Sequence, residues 1–175
     1  MILKLKRTPG IFLVGFMACG KTTVGRLLAT ELGWSFVDLD DDIVARAGCS
    51  INEIFDTRGE AEFRRIEHDA VTAAVQRVKL GLPTVVALGG GAFAQEANFR
   101  LVSDNGVSIW LDCPIEVLAV RVADSSERPL ARDPVRFARL FEERQGFYAR
   151  AEYRIAAGDD DPRRILCQIL DLPIF

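Results

Sequence analysis

The stretch "LVGFMACGKTTVGR", Leu13 to Arg26, decides how this chain is read. A short apolar run from Ile11 to Val14 meets Gly15, four residues intervene, and Gly20-Lys21-Thr22 opens an amphipathic segment. Strand, then G-x-x-x-x-G-K-[ST], then helix is the full pattern of a phosphate-binding loop in the context it requires. The glycines let successive backbone N–H groups turn inward, and the helix N-terminus adds a favourable field for anions. Gly15, Ala18, Cys19, Gly20, Lys21, Thr22 and Thr23 are therefore the candidate nucleotide-phosphate contacts. Lys21 reaches the outer phosphates, and the Thr22 hydroxyl is placed for Mg²⁺. Alanine at position 18 costs about 1 to 2 kcal/mol if the turn needs a left-handed residue there. Cys19 reads first as a small packing residue, although a place before a helix N-terminus and beside Lys21 also lowers a thiol pKa.

The rest of the chain is consistent with one compact domain, residues 1–175. Hydrophobic residues make up 49% and charged ones 27%, the balance of a globular protein. The net charge of −3 argues against a nucleic-acid partner, so an anion has to be held by local geometry. Cys19, Cys49, Cys113 and Cys167 are widely separated and His68 is the sole histidine, which excludes the usual zinc spacings, and the size of the chain argues against a disulfide framework. Reduced thiols fit a cytoplasmic setting. "KLKRTPGIFLVGFMAC" has the basic start and apolar run of a leader, but the run is short and continues into Gly20-Lys21-Thr22, so Ile11 to Val14 is read as a buried strand. No stretch has the roughly 20 apolar residues a membrane span needs.

Five β-branched or apolar runs, "IFLVG", "SFVDLD", "TVVALGGG", "VSIWLD" and "EYRIAA", alternate with amphipathic segments. That alternation predicts an α/β fold, a three-layer αβα arrangement around a five-stranded parallel sheet. Helices are expected at 21–32, 41–47, 51–57, 60–79, 94–104, 114–123, 134–150 and 162–170. Ligands of such sheets bind at the carboxyl ends of the strands, where this chain has Gly15, Asp38 and Asp40, Gly89 to Gly91, and Asp112. Strand alternation would point Asp38 and Asp40 the same way. One carboxylate could then hold a Mg²⁺ water and the other orient or deprotonate an acceptor hydroxyl. Gly89-Gly90-Gly91 lets backbone approach a ligand closely. "DSSERPLARDP", residues 124–134, is polar and reads as an exposed mobile loop.

With these residues in place, the chain resembles the shikimate kinases, small members of the nucleoside-monophosphate-kinase group of P-loop proteins. "GFMACGKTTVGR", "FVDLDDDI", "SINEIF", "GEAEFRRIE", "LGGGA", "RPL" and "RQGFYARAEY" occur in family order from Ile11 to about Tyr153. The resemblance implies transfer of a phosphoryl group from ATP, with Mg²⁺, to the 3-hydroxyl of shikimate in aromatic amino-acid biosynthesis. It implies that Arg64 and Arg144 grip the substrate carboxylate, that Gly90 contacts shikimate within the Gly89–Gly91 turn, and that Asp40 hydrogen-bonds its hydroxyls as the candidate base. Asp38 joins Thr22 at the metal. Arg128 corresponds to the arginine of a mobile lid, about 124–134, and Arg121 to an arginine on the adenine side. Lys21, Asp40 and Arg128 are the expected catalytic residues. A monomer is expected, with no nucleic acid or membrane partner.

Glu67, three residues after Arg64 on a helix, can steady that guanidinium. Arg65, His68, Arg132 and Arg136 read as solvated or partly buried polar residues, and Asp41 and Asp42 as an acidic helix cap. Two departures from the family pattern stand out: Ala18 in place of glycine, and the acidic "AAGDDDPRR", residues 156–164, where basic or polar residues commonly face the adenine. A gluconate-type kinase would share the cradle and lid without Arg64, Gly90 and Arg144. A non-catalytic module of the same fold would have no need of an intact Lys21, Thr22, Asp38, Asp40 and Arg128.

Overall fold

The computed structural model describes residues 10–123 and 133–175. Among them, β1 (Gly10–Val14), β2 (Ser35–Asp38), β3 (Thr84–Ala87), β4 (Val107–Asp112) and β5 (Tyr153–Ala156) form one parallel sheet in the order β2-β3-β1-β4-β5. β1 is central and buried along its length. Leu13 is in register with Ala87 on one side and Ile109 on the other. The apolar run with a leader-like composition is thus the innermost strand. A strand covered on both faces has no reason to alternate, and "IFLV" does not.

The helices are α1 (Lys21–Leu32), α2 (Leu39–Ala47), α3 (Ile51–Lys79), α4 (Glu96–Asn105), α5 (Ile115–Ala123), α6 (Pro134–Tyr148) and α7 (Pro162–Leu170), with a 3₁₀ turn at Ala92–Ala94. α1 packs with α7, whereas α3 packs with α2 and α4. Right-handed crossovers in this strand order put these two groups on opposite faces of the sheet, giving the three layers expected. No helix among the described residues is long and apolar enough to cross a membrane.

Local chemistry sets the boundaries. The predicted strand "SFVDLD" stops at Asp38, because the Asp38 carboxylate accepts the Asp40 N–H at 3.0 Å and caps α2. Asp40 therefore lies in the first turn of a helix, and the strand-alternation argument for the two carboxylates fails. Asp41 and Asp42 are not the cap: they pair with Arg26 at 3.7 Å and Arg46 at 2.6 Å. The helices expected at 51–57 and 60–79 form one run, broken only at Gly59, whose φ of 82° and ψ of 172° lie outside helical space. Ser50 and Glu53 start that run with a reciprocal capping box. The helix expected from 94 begins instead as the 3₁₀ turn, and α4 follows from Glu96.

α1 lies so close to the sheet that Gly25 has no room for a side chain: a Cβ there would be 2.5 Å from Phe36 Cε2 and 3.2 Å from Leu13 Cδ1. Glycine to alanine at an exposed helix position stabilises by about 1 kcal/mol. Gly25→Ala should instead destabilise the protein by about 1 to 3 kcal/mol through overpacking. A denaturation midpoint that is unchanged or raised would refute this reading of the contact.

Candidate active site

The loop after β1 closes as the motif requires. Ala18 is the sole non-glycine residue with positive φ among the described residues, at 62°, and Gly20 follows at 97° before α1 begins. The loop therefore forms at the cost foreseen for alanine in left-handed space. Lys21 folds back onto it, donating to the carbonyls of Gly15 at 2.8 Å and Phe16 at 2.9 Å. Those carbonyls hold the ammonium where an outer phosphate can take it over. Thr22 Oγ1 donates to Asp38 Oδ2 at 2.5 Å, joining the start of α1 to the end of β2. Phe16 anchors the loop from beneath, edge-on to Phe137 and Phe141 of α6 at 5.3 and 5.4 Å.

Beside this cradle opens a cavity of about 890 Å³, lined among others by Lys21, Thr22, Thr23, Asp38, Asp40, Arg64, Gly89 to Gly91 and Arg144. Arg64 NH1 donates to Glu67 at 2.8 Å, and its NH2 lies 3.4 Å from Glu60. The Glu67 side chain is 2% exposed and that of Arg64 21%, so the pair is desolvated on the carboxylate side and open on the guanidinium side. Burial raises the Glu67 pKa, opposed by its hydrogen bond and charge interaction with Arg64 and reinforced by the nearby Asp40 carboxylate. Arg64 Nε is buried with no partner. Buried donors in that state are uncommon.

The glycines leave space that this arrangement uses. A Cβ on Gly91 would fall 2.7 Å from Arg64 NH1, and one on Gly89 would fall 2.9 Å from Asp40 Oδ1 and 3.3 Å from Glu67 Oε1. The turn after β3 can therefore lie directly against the charged groups of α2 and α3.

The sequence-derived residues fall into four groups. Ala18, Gly20, Lys21, Thr22, Thr23, Asp38, Asp40, Arg64, Gly89, Gly90, Gly91 and Arg144 all line the cavity. Gly15 and Cys19 belong to the loop without lining the cavity, and Cys19 is fully buried, which suits its reading as a packing residue. Arg121 is not among the lining residues. Its guanidinium donates to the carbonyls of Ala18 at 3.3 Å and Asp159 at 3.2 Å, tying the phosphate loop to the segment before α7. Arg128 and most of the 124–134 segment lie outside the described residues.

The acidic departure near the C-terminus has a local role. Asp161 caps α7, and Asp159 accepts from the Asp161 N–H and from Arg164. Asp112 is held by Arg154 of β5 rather than directed into the cavity. Arg136, read as a solvated charge, lines the cavity with Leu140, Arg144 and Tyr148. Their four-residue spacing along α6 was the available signal. His68 is bonded to Asn98 at 2.7 Å, and Arg65 to Glu62 and Asp69, as polar structural residues.

Thr22 and Asp38 also supply the donor types a magnesium ion takes, one hydroxyl and one carboxylate oxygen. No group of three or more His, Cys, Asp or Glu residues able to hold a metal occurs among the described residues. Magnesium sites completed by substrate phosphates need only one or two protein carboxylates, so the residues fit.

The family model described as shikimate kinase matches residues 17–172. A shikimate kinase from Persephonella marina is 40% identical over 161 residues, 91% of this chain and 96% of its own. The structure of Acinetobacter baumannii shikimate kinase in complex with shikimate superposes with a TM-score of 0.86 at 34% identity, covering 93% of this chain and 91% of that one. A gluconokinase from Sinorhizobium meliloti, at 17% identity, a TM-score of 0.58 and coverage of 94% and 91%, shares the fold alone. With its phosphate loop, paired arginines and glycine turn in one cavity, the chain belongs to the shikimate kinase family.

Proposed function

We propose that this family member transfers the γ-phosphoryl group of ATP to the 3-hydroxyl of shikimate, with the cavity beside the phosphate loop as the active site. The observation that carries this reading is that Arg64 and Arg144 line the same cavity as Lys21 and Asp40. A small hydroxylated carboxylate needs cations at one end and a carboxylate at its hydroxyls, and these residues supply both. Each charge-assisted hydrogen bond to the substrate carboxylate contributes about 1.5 to 3 kcal/mol.

In this reading the backbone N–H groups from Ala18 to Thr22 hold the nucleotide phosphates. Lys21 exchanges the Gly15 and Phe16 carbonyls for phosphate oxygens. Thr22 and Asp38 hold magnesium, which when bound neutralises charge on the phosphates. Asp40, in the first turn of α2, orients the acceptor hydroxyl or takes its proton. Arg128, outside the described residues, is the expected partner of charge on the transferring phosphoryl group, and exclusion of water, a competing acceptor, favours transfer to shikimate. Arg121 steadies the phosphate loop from the adenine side. The chain works as a monomer of one domain in the cytoplasm, and its product feeds aromatic amino-acid biosynthesis.

ADP release from Mg-ATP should depend on shikimate, should not respond to gluconate, and should be abolished by Lys21→Met. Release that ignores shikimate while nucleotide still binds would sink the acceptor assignment. Arg64→Ala should raise the KM for shikimate at least tenfold, on the scale of one charge-assisted bond, with the KM for ATP little changed. The raised pKa of Glu67 gives a pH signature. As pH falls through it the carboxylate is protonated and the ion pair that holds Arg64 is lost. The KM for shikimate should therefore climb with falling pH, beginning above the usual glutamate range. Glu67→Gln should have a raised KM at neutral pH and lack this step; a variant that keeps the step would show that another group titrates.

A further inference from the structure

Tyr148, the last residue of α6, is 1% exposed, and its hydroxyl donates a 2.6 Å hydrogen bond to the carbonyl of Gly90, 58 residues away in sequence. Its ring lies against Trp110 of β4, with centroids 6.1 Å apart. Gly90 lies beside the phosphate loop: a Cβ there would be at ordinary contact distance from the Met17 nitrogen, 3.8 Å, and the Gly15 carbonyl oxygen, 4.0 Å. One hydroxyl thus joins α6 to the glycine turn at the point where that turn backs onto the phosphate loop.

Three consecutive glycines have soft backbone dihedrals and no side chains with which to fix themselves. The turn they form must nevertheless present its backbone to a ligand at a set distance from the cationic clamp. Tyr148 follows Arg144 by four residues, one turn further along the same helix face. We propose that Tyr148 is a positioning residue for the acceptor: by bonding the Gly90 carbonyl from the helix that carries Arg144, it fixes the spacing between two acceptor contacts. The inference rests on the acceptor reading above. Burial raises the phenol pKa far above its ordinary value, so the hydroxyl stays a donor throughout the working range of an enzyme. A tyrosine that served only to fill the core would be replaced by phenylalanine without functional consequence. This one spends its sole polar atom on the glycine turn.

Tyr148→Phe removes the hydroxyl and keeps the ring. Its KM for shikimate should rise roughly three- to tenfold, the effect of one lost hydrogen bond. Its KM for ATP should stay within twofold, and its thermal midpoint should fall by only a few degrees. Trp110→Phe, which thins the packing around the ring and leaves the hydroxyl in place, should lower the midpoint without moving the KM for shikimate. An unchanged KM for shikimate in Tyr148→Phe, a parallel rise in both KM values, a loss confined to kcat, or an equal KM rise in Trp110→Phe would each overturn the inference. Wild-type ADP release with no dependence on shikimate is a separate outcome, one that removes the acceptor reading and the inference with it.

Discussion

Every feature of the cavity depends on the position of β1 between β3 and β4. A parallel sheet brings the carboxyl ends of all its strands to one edge, and a central first strand makes the connections on its two sides diverge, which opens a crevice there. The phosphate loop leaves β1 at that crevice, the Asp38 cap leaves β2, and the glycine turn leaves β3. The buried run Ile11 to Val14 enforces this arrangement, because a strand with both faces covered can only be satisfied inside the sheet. The strand order brings these three turns within reach of one another, and α3 and α6 add Arg64 and Arg144 to them.

The second constraint is electrostatic. A chain with a net charge of −3 gains nothing from its overall field when it binds a polyanion and a carboxylate together. It relies on cations kept in place by acceptors that the ligands can replace or share. Lys21 rests on two carbonyls of its own loop, and Arg64 on Glu67 and Glu60. A buried ion pair is poor evidence for stability, because desolvation offsets the attraction. With Glu67 at 2% exposure and Arg64 open toward the cavity, the pair is better understood as an aiming device. The missing Cβ atoms of Gly89 and Gly91 do complementary work, since either one would collide with the groups being aimed.

Local sequence carried the cradle, because its chemistry is contained in eight consecutive residues whose context can also be read. The Arg64–Glu67 pair was legible for the same reason, lying three residues apart on one helix. The paired carboxylates were found by an argument that fails: Asp38 and Asp40 do not alternate along a strand, since Asp38 ends β2 by capping α2. They still line one cavity because the first turn of a helix stays close to its own cap. Arg136, Leu140, Arg144 and Tyr148 form a stripe whose period was visible but whose partner was not. What α6 faces is decided by pairings such as Tyr148 with Gly90, far apart in sequence. Arg121 is similar: its contacts with Ala18 and Asp159 span three separate segments, and no local pattern encodes them.

We propose that Arg64 and Arg144 together read the carboxylate of the acceptor. The most direct test changes the ligand and leaves the protein alone, by titrating the wild-type chain with shikimate and with its neutral methyl ester under identical salt and pH. The ester should bind at least tenfold more weakly, as loss of a charge-assisted contact requires. Equal affinity for acid and ester would show that the guanidinium groups do not hold the substrate carboxylate.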